Sequence, residues 1–179
     1  MKTAHILIFI LVVGAGIGTP SQAQKANKKK DPGRALYLQA NRLYNLKLYP
    51  LAAEEFEKFL AKYKNHPDML NAQFGLSQAY FEMGKYDKAE PLLAKLAANS
   101  KAPHRGHVHL FLGQSRLQLK KKIPLEQAED AFSAGLKLSM PDDVRASIQK
   151  GLLDAQFEQK KWKEVVATSA LLAKHKGEI

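Results

Sequence analysis

The stretch Leu76–Ala89, LSQAYFEMGKYDKA, decides the fold. Leu76, Ala79, Tyr80 and Met83 recur at i, i+3, i+4 and i+7, which puts them on one face of a helix. Gly84 stands where a helix ends, because glycine enters the left-handed conformation without a Cβ penalty. Tyr86 and Ala89 then open a second apolar face that runs on through Leu92, Leu93 and Leu96. The reading is a helix, a tight turn and a second helix.

Outward from this hairpin the same template recurs. Upstream stand Gln39-Ala40, Leu43, Lys47, Tyr49, Ala52, Phe56 and Phe59. Downstream come Leu112-Gly113 with Ala128, Phe132 and Gly135, then Leu152-Leu153, Ala155, Gln156, Lys160, Trp162, Val165 and Leu172. The residues opening each second helix, Tyr49, Tyr86, Leu125 and Trp162, lie 37, 39 and 37 residues apart. Leu76, the small Ser77, Tyr80, Gly84, Tyr86 and Ala89 closely resemble the heart of the tetratricopeptide (TPR) motif, whose repeat is about 34 residues. In the later units Arg116 and Gln156 replace the aromatic, and Lys160 replaces the glycine. The run Phe56-x-x-Phe59-Leu60-x-x-Tyr63-x-x-His66-Pro67 is similar to the TPR variety common in bacterial envelope proteins. The resemblance covers residues 34–175. It implies an all-α, right-handed solenoid of about four helix pairs.

The expected helices are Arg34–Lys47 and Tyr49–Tyr63, Met69–Met83 and Tyr86–Ala98, His104–Leu119 and Leu125–Leu138, then Pro141–Glu158 and Trp162–Lys174. Pro50 suits a first helical turn and Pro67 ends the preceding helix. The Lys120-Lys121-Lys122-Ile123-Pro124 run replaces a short glycine turn. Trp162, in the aromatic slot opening the last helix, is expected in the core. No polar cap follows that helix, so it either caps the array itself or presents Leu171 and Leu172 to a partner.

The first residues are read differently. Lys2, the apolar run Ile6–Val13 and the small residues of Ser21-Gln22-Ala23 form a secretory signal peptide over residues 1–23. Residues 24–33, QKANKKKDPG, form a basic flexible linker before a repeat domain over 34–179. The expected location is therefore outside the cytoplasm, in the bacterial periplasm. The 179 residues contain no cysteine, which excludes disulfides, zinc thiolates and thiol nucleophiles. A net charge of +11 favours acidic partners. Nucleic acid is not expected to be reached after secretion.

The TPR resemblance places ligand-facing residues on the first helix of each pair. By register these are Tyr37, Asn41 and Tyr44; Phe74, Gln78 and Phe81; Leu110, Gln114 and Leu117; and Lys150, Asp154 and Phe157. Each triplet sets a carboxamide, or an acid in the last, between apolar groups. Amides carry both donors and an acceptor, so they pair with the backbone of an extended peptide. The carboxylate clamp of some TPR domains is absent. Asn41 matches one asparagine, but Tyr37 stands for its lysine and Gly75 for the second asparagine.

Other constellations carry no chemistry. His104 and His107 share a helical face, whereas His109 lies ~200° from His107, so no metal set converges and a solvated helix start is expected. Ser77 and Ser115 lack a nucleophile elbow, and no glycine loop cradles phosphate. The expectation is a non-enzymatic scaffold, without cofactor or metal, that binds a protein or peptide segment in its concave groove. The alternative is a structural assembly component whose terminal helix or basic linker touches a membrane complex or an anionic wall polymer.

Overall fold

A computed structural model describes residues 31–177, so the expected signal peptide and most of the linker lie outside the described residues. Eight helices form four hairpins: α1 (Pro32–Asn45) with α2 (Tyr49–Lys62), α3 (Met69–Glu82) with α4 (Tyr86–Ala97), α5 (Arg105–Gln118) with α6 (Leu125–Leu136), and α7 (Asp142–Glu158) with α8 (Trp162–Gly177). No strand occurs among the described residues. Each helix packs on the next, and the first helices of the hairpins also touch in the order α1, α3, α5, α7. The expected all-α stack of four pairs is what the chain forms. Residues 31–179 constitute one compact unit.

One boundary moves. Pro32 and Gly33, assigned to the linker by sequence, form the first turn of α1. The Asp31 carboxylate accepts the Arg34 N–H at 3.0 Å and caps the helix. Gly33 is buried against the His66 and Tyr63 side chains, where a Cβ would come within 2.9 Å. The remaining helix ends fall within a few residues of the expected ones, because proline and glycine punctuate them.

The repeat shows itself at equivalent positions. Gly84 turns left-handed at φ 69, and Lys47 and Lys160 adopt the same conformation at φ 60 and 59. The backbone therefore keeps the turn even where the sequence withholds glycine. A residue with a Cβ pays about 1–2 kcal/mol there, part of which glycine returns as extra unfolded-state entropy. Lys160→Gly is accordingly expected to stabilise the fold by about 0.5–1 kcal/mol, read as a raised melting temperature. At three of the four turns an aromatic closing the first helix meets the aromatic opening the second. The pairs are Tyr44–Tyr49 at 5.4 Å, Phe81–Tyr86 at 5.3 Å and Phe157–Trp162 at 5.4 Å.

Between hairpins, size complementarity sets the spacing. Phe56 of α2 fits against Gly75 of α3, where a Cβ would lie 2.4 Å from its ring. Phe132 of α6 is held between Gly113 of α5 and Gly151 of α7, which would approach to 2.5 and 2.4 Å if they carried a Cβ. Polar pairs accompany these contacts. The Tyr80 hydroxyl donates to Glu57 of α2. Where the aromatic is lost, Arg116 donates to Glu90 of α4 at 2.9 Å, and Gln156 to Glu129 of α6 at 3.3 Å. The substitutions that break the motif are thus matched by a carboxylate on the preceding hairpin.

The apolar interior forms two clusters. One spans α1–α4 and reaches Val108, Leu112 and Ala131; the other joins Leu110, Ala128 and Phe132 to Val144, Ile148, Leu152 and Ala155. α8 adds little to either. Trp162, expected in the core, is 55% exposed. Its counterparts Tyr49 and Tyr86 are half-buried, each with another hairpin following, and among the described residues no helix follows α8 to cover Trp162.

Candidate functional site: a cleft on the first helices of the hairpins

The twelve register positions fall into two groups. Tyr37, Tyr44 and Phe74 of the first two hairpins and Leu110 of the third serve packing. Tyr37 stacks on Phe56 and Phe59 at 6.3 and 5.9 Å. Tyr44 is half-buried against Tyr49, and burial, with Glu82 nearby, pushes its hydroxyl up to about 12, so it stays neutral. Phe74 is only 6% exposed, enclosed by His104, which immediately precedes α5, and by Phe111 of α5, at 5.7 and 6.2 Å. Leu110 closes the second apolar cluster. Phe74 and Leu110, expected to face a ligand, are therefore core residues, because neighbouring first helices approach closely enough to cover them. Asn41 and Gln78 stay half-buried.

The other positions converge. Phe81, Gln114, Leu117, Lys150 and Asp154 line a cleft of about 390 Å³ with Gln118, Ser147 and Gly151. An adjoining cleft of about 290 Å³ shares Leu117, Gln118 and Asp154, and adds Lys120, Phe157 and Glu158. Six of the expected residues thus meet in one trough between α5 and α7, closed at one side by the end of α3. Ser147, Lys150, Gly151, Asp154, Phe157 and Glu158 lie at i, i+3, i+4, i+7, i+10 and i+11, a single helical face. Gln118, Ser147, Lys120 and Glu158 were missed from the sequence because the motif transfer sampled three positions per helix. The helical period through Lys150 and Asp154 finds Ser147 and Glu158, and that through Gln114 finds Gln118, whereas Lys120 lies in a turn that no helical period reaches.

The trough is chemically mixed. Phe81, Leu117 and Phe157 offer apolar surface, and Phe157 is 59% exposed. Lys150 and Asp154, one turn apart and exposed, place opposite charges on one wall. Gln114, Gln118 and Ser147 supply donors and acceptors. Lys120 reaches across the rim to both Glu158 oxygens at 2.9 Å. A wider depression of about 600 Å³ at Ala61–Pro67 is made by one chain segment alone and has no opposing wall.

The histidines do not form a site. His104 and His107 rings lie 6.1 Å apart, and no metal-holding group occurs among the described residues. His109, expected at a solvated helix start, is instead buried, with Nδ1 donating to the Ala131 carbonyl at 3.1 Å. Burial pushes its pKa down and outweighs that hydrogen bond, with Arg105 and Arg116 adding to the depression. It is a neutral packing group.

Comparison with known proteins agrees with the repeat. Residues 37–103 and 74–122 match the tetratricopeptide repeat family model. The fold is similar to a MamA RS-1 double mutant, with TM-score 0.70 and 19% identity over 84% of this chain and 78% of that one. It is similar also to MamA residues 41-end of Desulfovibrio magneticus RS-1, with TM-score 0.68 and 19% identity over 82% and 76%. Nearly identical TPR-like repeats of a kinesin-light-chain candidate from Podosopora anserina give TM-score 0.63 and 20% identity over 81% and 74%. No curated protein matches the chain in sequence. At these identities the structural likeness is one of fold, and it continues through α7 and α8 the hairpins that the family model recognises. Residues 37–122 belong to the tetratricopeptide-repeat family, and the chain as a whole shares the fold of such repeat proteins.

Proposed function

We propose that the protein is a non-enzymatic scaffold of the bacterial cell envelope that holds a peptide segment of a partner protein in the α5–α7 trough. The carrying observation is the convergence of Phe81, Gln114, Leu117, Lys150 and Asp154 on one open cleft. TPR domains use this face, and its mixture of apolar walls, amides and paired charges suits an extended segment with an apolar anchor. The volume accommodates one or two side chains, while the backbone on either side would run along the rim. An overall charge of +11 favours an acidic segment. Placement in the envelope rests on the signal pattern of Lys2, Ile6–Val13 and Ser21-Gln22-Ala23.

The test is selection of binders from a displayed random peptide library on residues 31–179. Selected peptides are expected to lose about tenfold or more in affinity, ~1.4 kcal/mol, on Leu117→Asp or Lys150→Glu. Lys150 is exposed, so Lys150→Glu should leave thermal stability unchanged. Leu117 packs partly on the second apolar cluster, and its variant is compared at a temperature where melting shows it folded. Substitution of Asn41 should leave affinity within twofold. Peptides that bind all three variants equally would refute the trough as the site.

A second use, as a structural component of an envelope assembly, is favoured by α8, where Trp162, Val166 and Leu171 are all more than half exposed.

A further inference from the structure

The four turns that join the helices of each hairpin are short, so the helices of a pair run antiparallel. Because α1, α3, α5 and α7 neighbour one another, all four turns come to the same edge of the stack. The Lys120–Glu158 contact, which ties the third turn to the end of α7, shows two of them side by side. The turns comprise residues 46–48, 83–85, 119–124 and 159–161. Together they contain seven lysines and no carboxylate. The three loops on the opposite edge, residues 63–68, 98–104 and 137–141, contain three lysines and one aspartate.

Lys47, Lys85, Lys121, Lys122 and Lys160 are exposed and make no ion pair among the described residues. Between them project apolar side chains that are about half exposed. Leu46 is 60% exposed and Leu48 44% exposed at the first turn, and Trp162 opens α8 at the last. Lysines spread over four successive turns, with apolar groups at both ends of the row, define a broad rim rather than a cleft. Lysine stems can lie along an apolar boundary while their charges stay in water. Indole and leucine side chains enter the headgroup region. No described helix is long and apolar enough to cross a bilayer, so such a contact is peripheral.

We propose that this turn edge docks on the surface of an anionic lipid bilayer. Lys47, Lys85, Lys121, Lys122 and Lys160 meet the phosphates, and Leu46, Leu48 and Trp162 enter the headgroup layer. The larger cleft, around Gln114, Ser147 and Lys150 on the flank of α5 and α7, lies away from the turns and stays open to a partner, whereas the adjoining cleft ends at Lys120 and Glu158 on the docked edge. This docking does not depend on the trough's being occupied.

The chain's single tryptophan lies on the proposed edge and reports on it directly. Residues 31–179, a compact unit, are mixed with vesicles of phosphatidylcholine alone or with about 30% phosphatidylglycerol, the anionic lipid supplying the attraction. Expected are cosedimentation and a shift of Trp162 emission to shorter wavelength with the anionic vesicles only, both reversed at about 0.5 M salt. Lys85→Glu/Lys121→Glu/Lys122→Glu should lower the partition coefficient tenfold or more. Lys64→Glu/Lys101→Glu/Lys137→Glu makes the same charge change on the opposite edge and should stay within threefold. All six positions are exposed, and melting curves confirm that both variants fold. Equal losses in the two variants, or partitioning without a Trp162 shift, would overturn the proposal. So would binding to soluble polyglutamate with no partitioning to vesicles, which would assign the edge to an acidic polypeptide.

Discussion

Phe132→Ala is expected to cost about 3–5 kcal/mol, the range for emptying a fully buried aromatic site. The loss falls at the high end of that range because the ring fills space that three helices leave for it. It projects from α6 and touches α5 at Gly113 and α7 at Gly151, both without a side chain of their own to relax into the void. The converse change has the same origin. Gly151→Ala places a methyl group 2.4 Å from the ring and is expected to cost about 1–3 kcal/mol through overpacking. Combining Gly151→Ala with Phe132→Leu should cost less than the two single losses added, since the smaller side chain makes room for the new methyl. Urea denaturation of the four proteins in a double-mutant cycle measures this coupling; strict additivity would show that the ring and glycine do not share the space.

Glu129→Ala is expected to cost about 2–3 kcal/mol, the range for removing a largely buried charged acceptor. Glu129 accepts from Lys161 at 2.6 Å, Gln159 at 3.0 Å and Gln156 at 3.3 Å, and Gln156 in turn accepts the Thr168 hydroxyl at 2.8 Å. The network therefore ties α6 to α7 and, through Thr168, to α8. Burial raises the Glu129 pKa, but the hydrogen bonds from Lys161, Gln156 and Gln159 outweigh it and hold the carboxyl below the ordinary 4.5. A depressed folded-state value means that this contribution is complete above pH 4.5 and is lost as the pH falls through the folded value. Stability measured from pH 7 to pH 3 should decline in the natural chain over that lower window. In Glu129→Ala the curve should begin lower and decline less. Parallel curves would show that the carboxylate is not a source of the acid sensitivity.

The repeat was legible because local signals carry it. Gly84 and the apolar faces through Tyr80 and Tyr86 mark one hairpin in the sequence itself, Pro50 and Pro67 bound a helix of another, and their register fixes the rest. What the motif counted as decay in the third and fourth hairpins proved to be exchange. Arg116 and Gln156 look like lost aromatics until Glu90 and Glu129 are seen, 26 and 27 residues earlier, on the helix packed against them. A near-constant separation of this kind can be read from sequence, but its meaning depends on which helices touch.

The site was legible in part for a related reason. Register gathered Gln114 and Leu117 of α5 with Lys150 and Asp154 of α7 at one cleft, since it needs only the helical period and the common phase of the repeats. It could not foresee that Phe111 and His104 would enclose Phe74. Burial there is set by the separation of α3 and α5, which a one-dimensional pattern does not contain. Trp162 misled in the opposite direction: its slot is half-buried at Tyr49 and Tyr86, and Trp162 is more than half exposed.

The unequal anchoring of α8 has a mechanical consequence. Among residues 162–173 only Thr168 is buried, whereas every other helix from α2 onward sets at least three apolar or glycine positions into the interior. In a linear array whose units lean only on their neighbours, a load applied at the loosely seated end is released one segment at a time. Tension on α8 would peel that helix away at low force and then stop at the Phe132 clasp. The scaffold would thus give a little before it resists, like a tether with a slack first link.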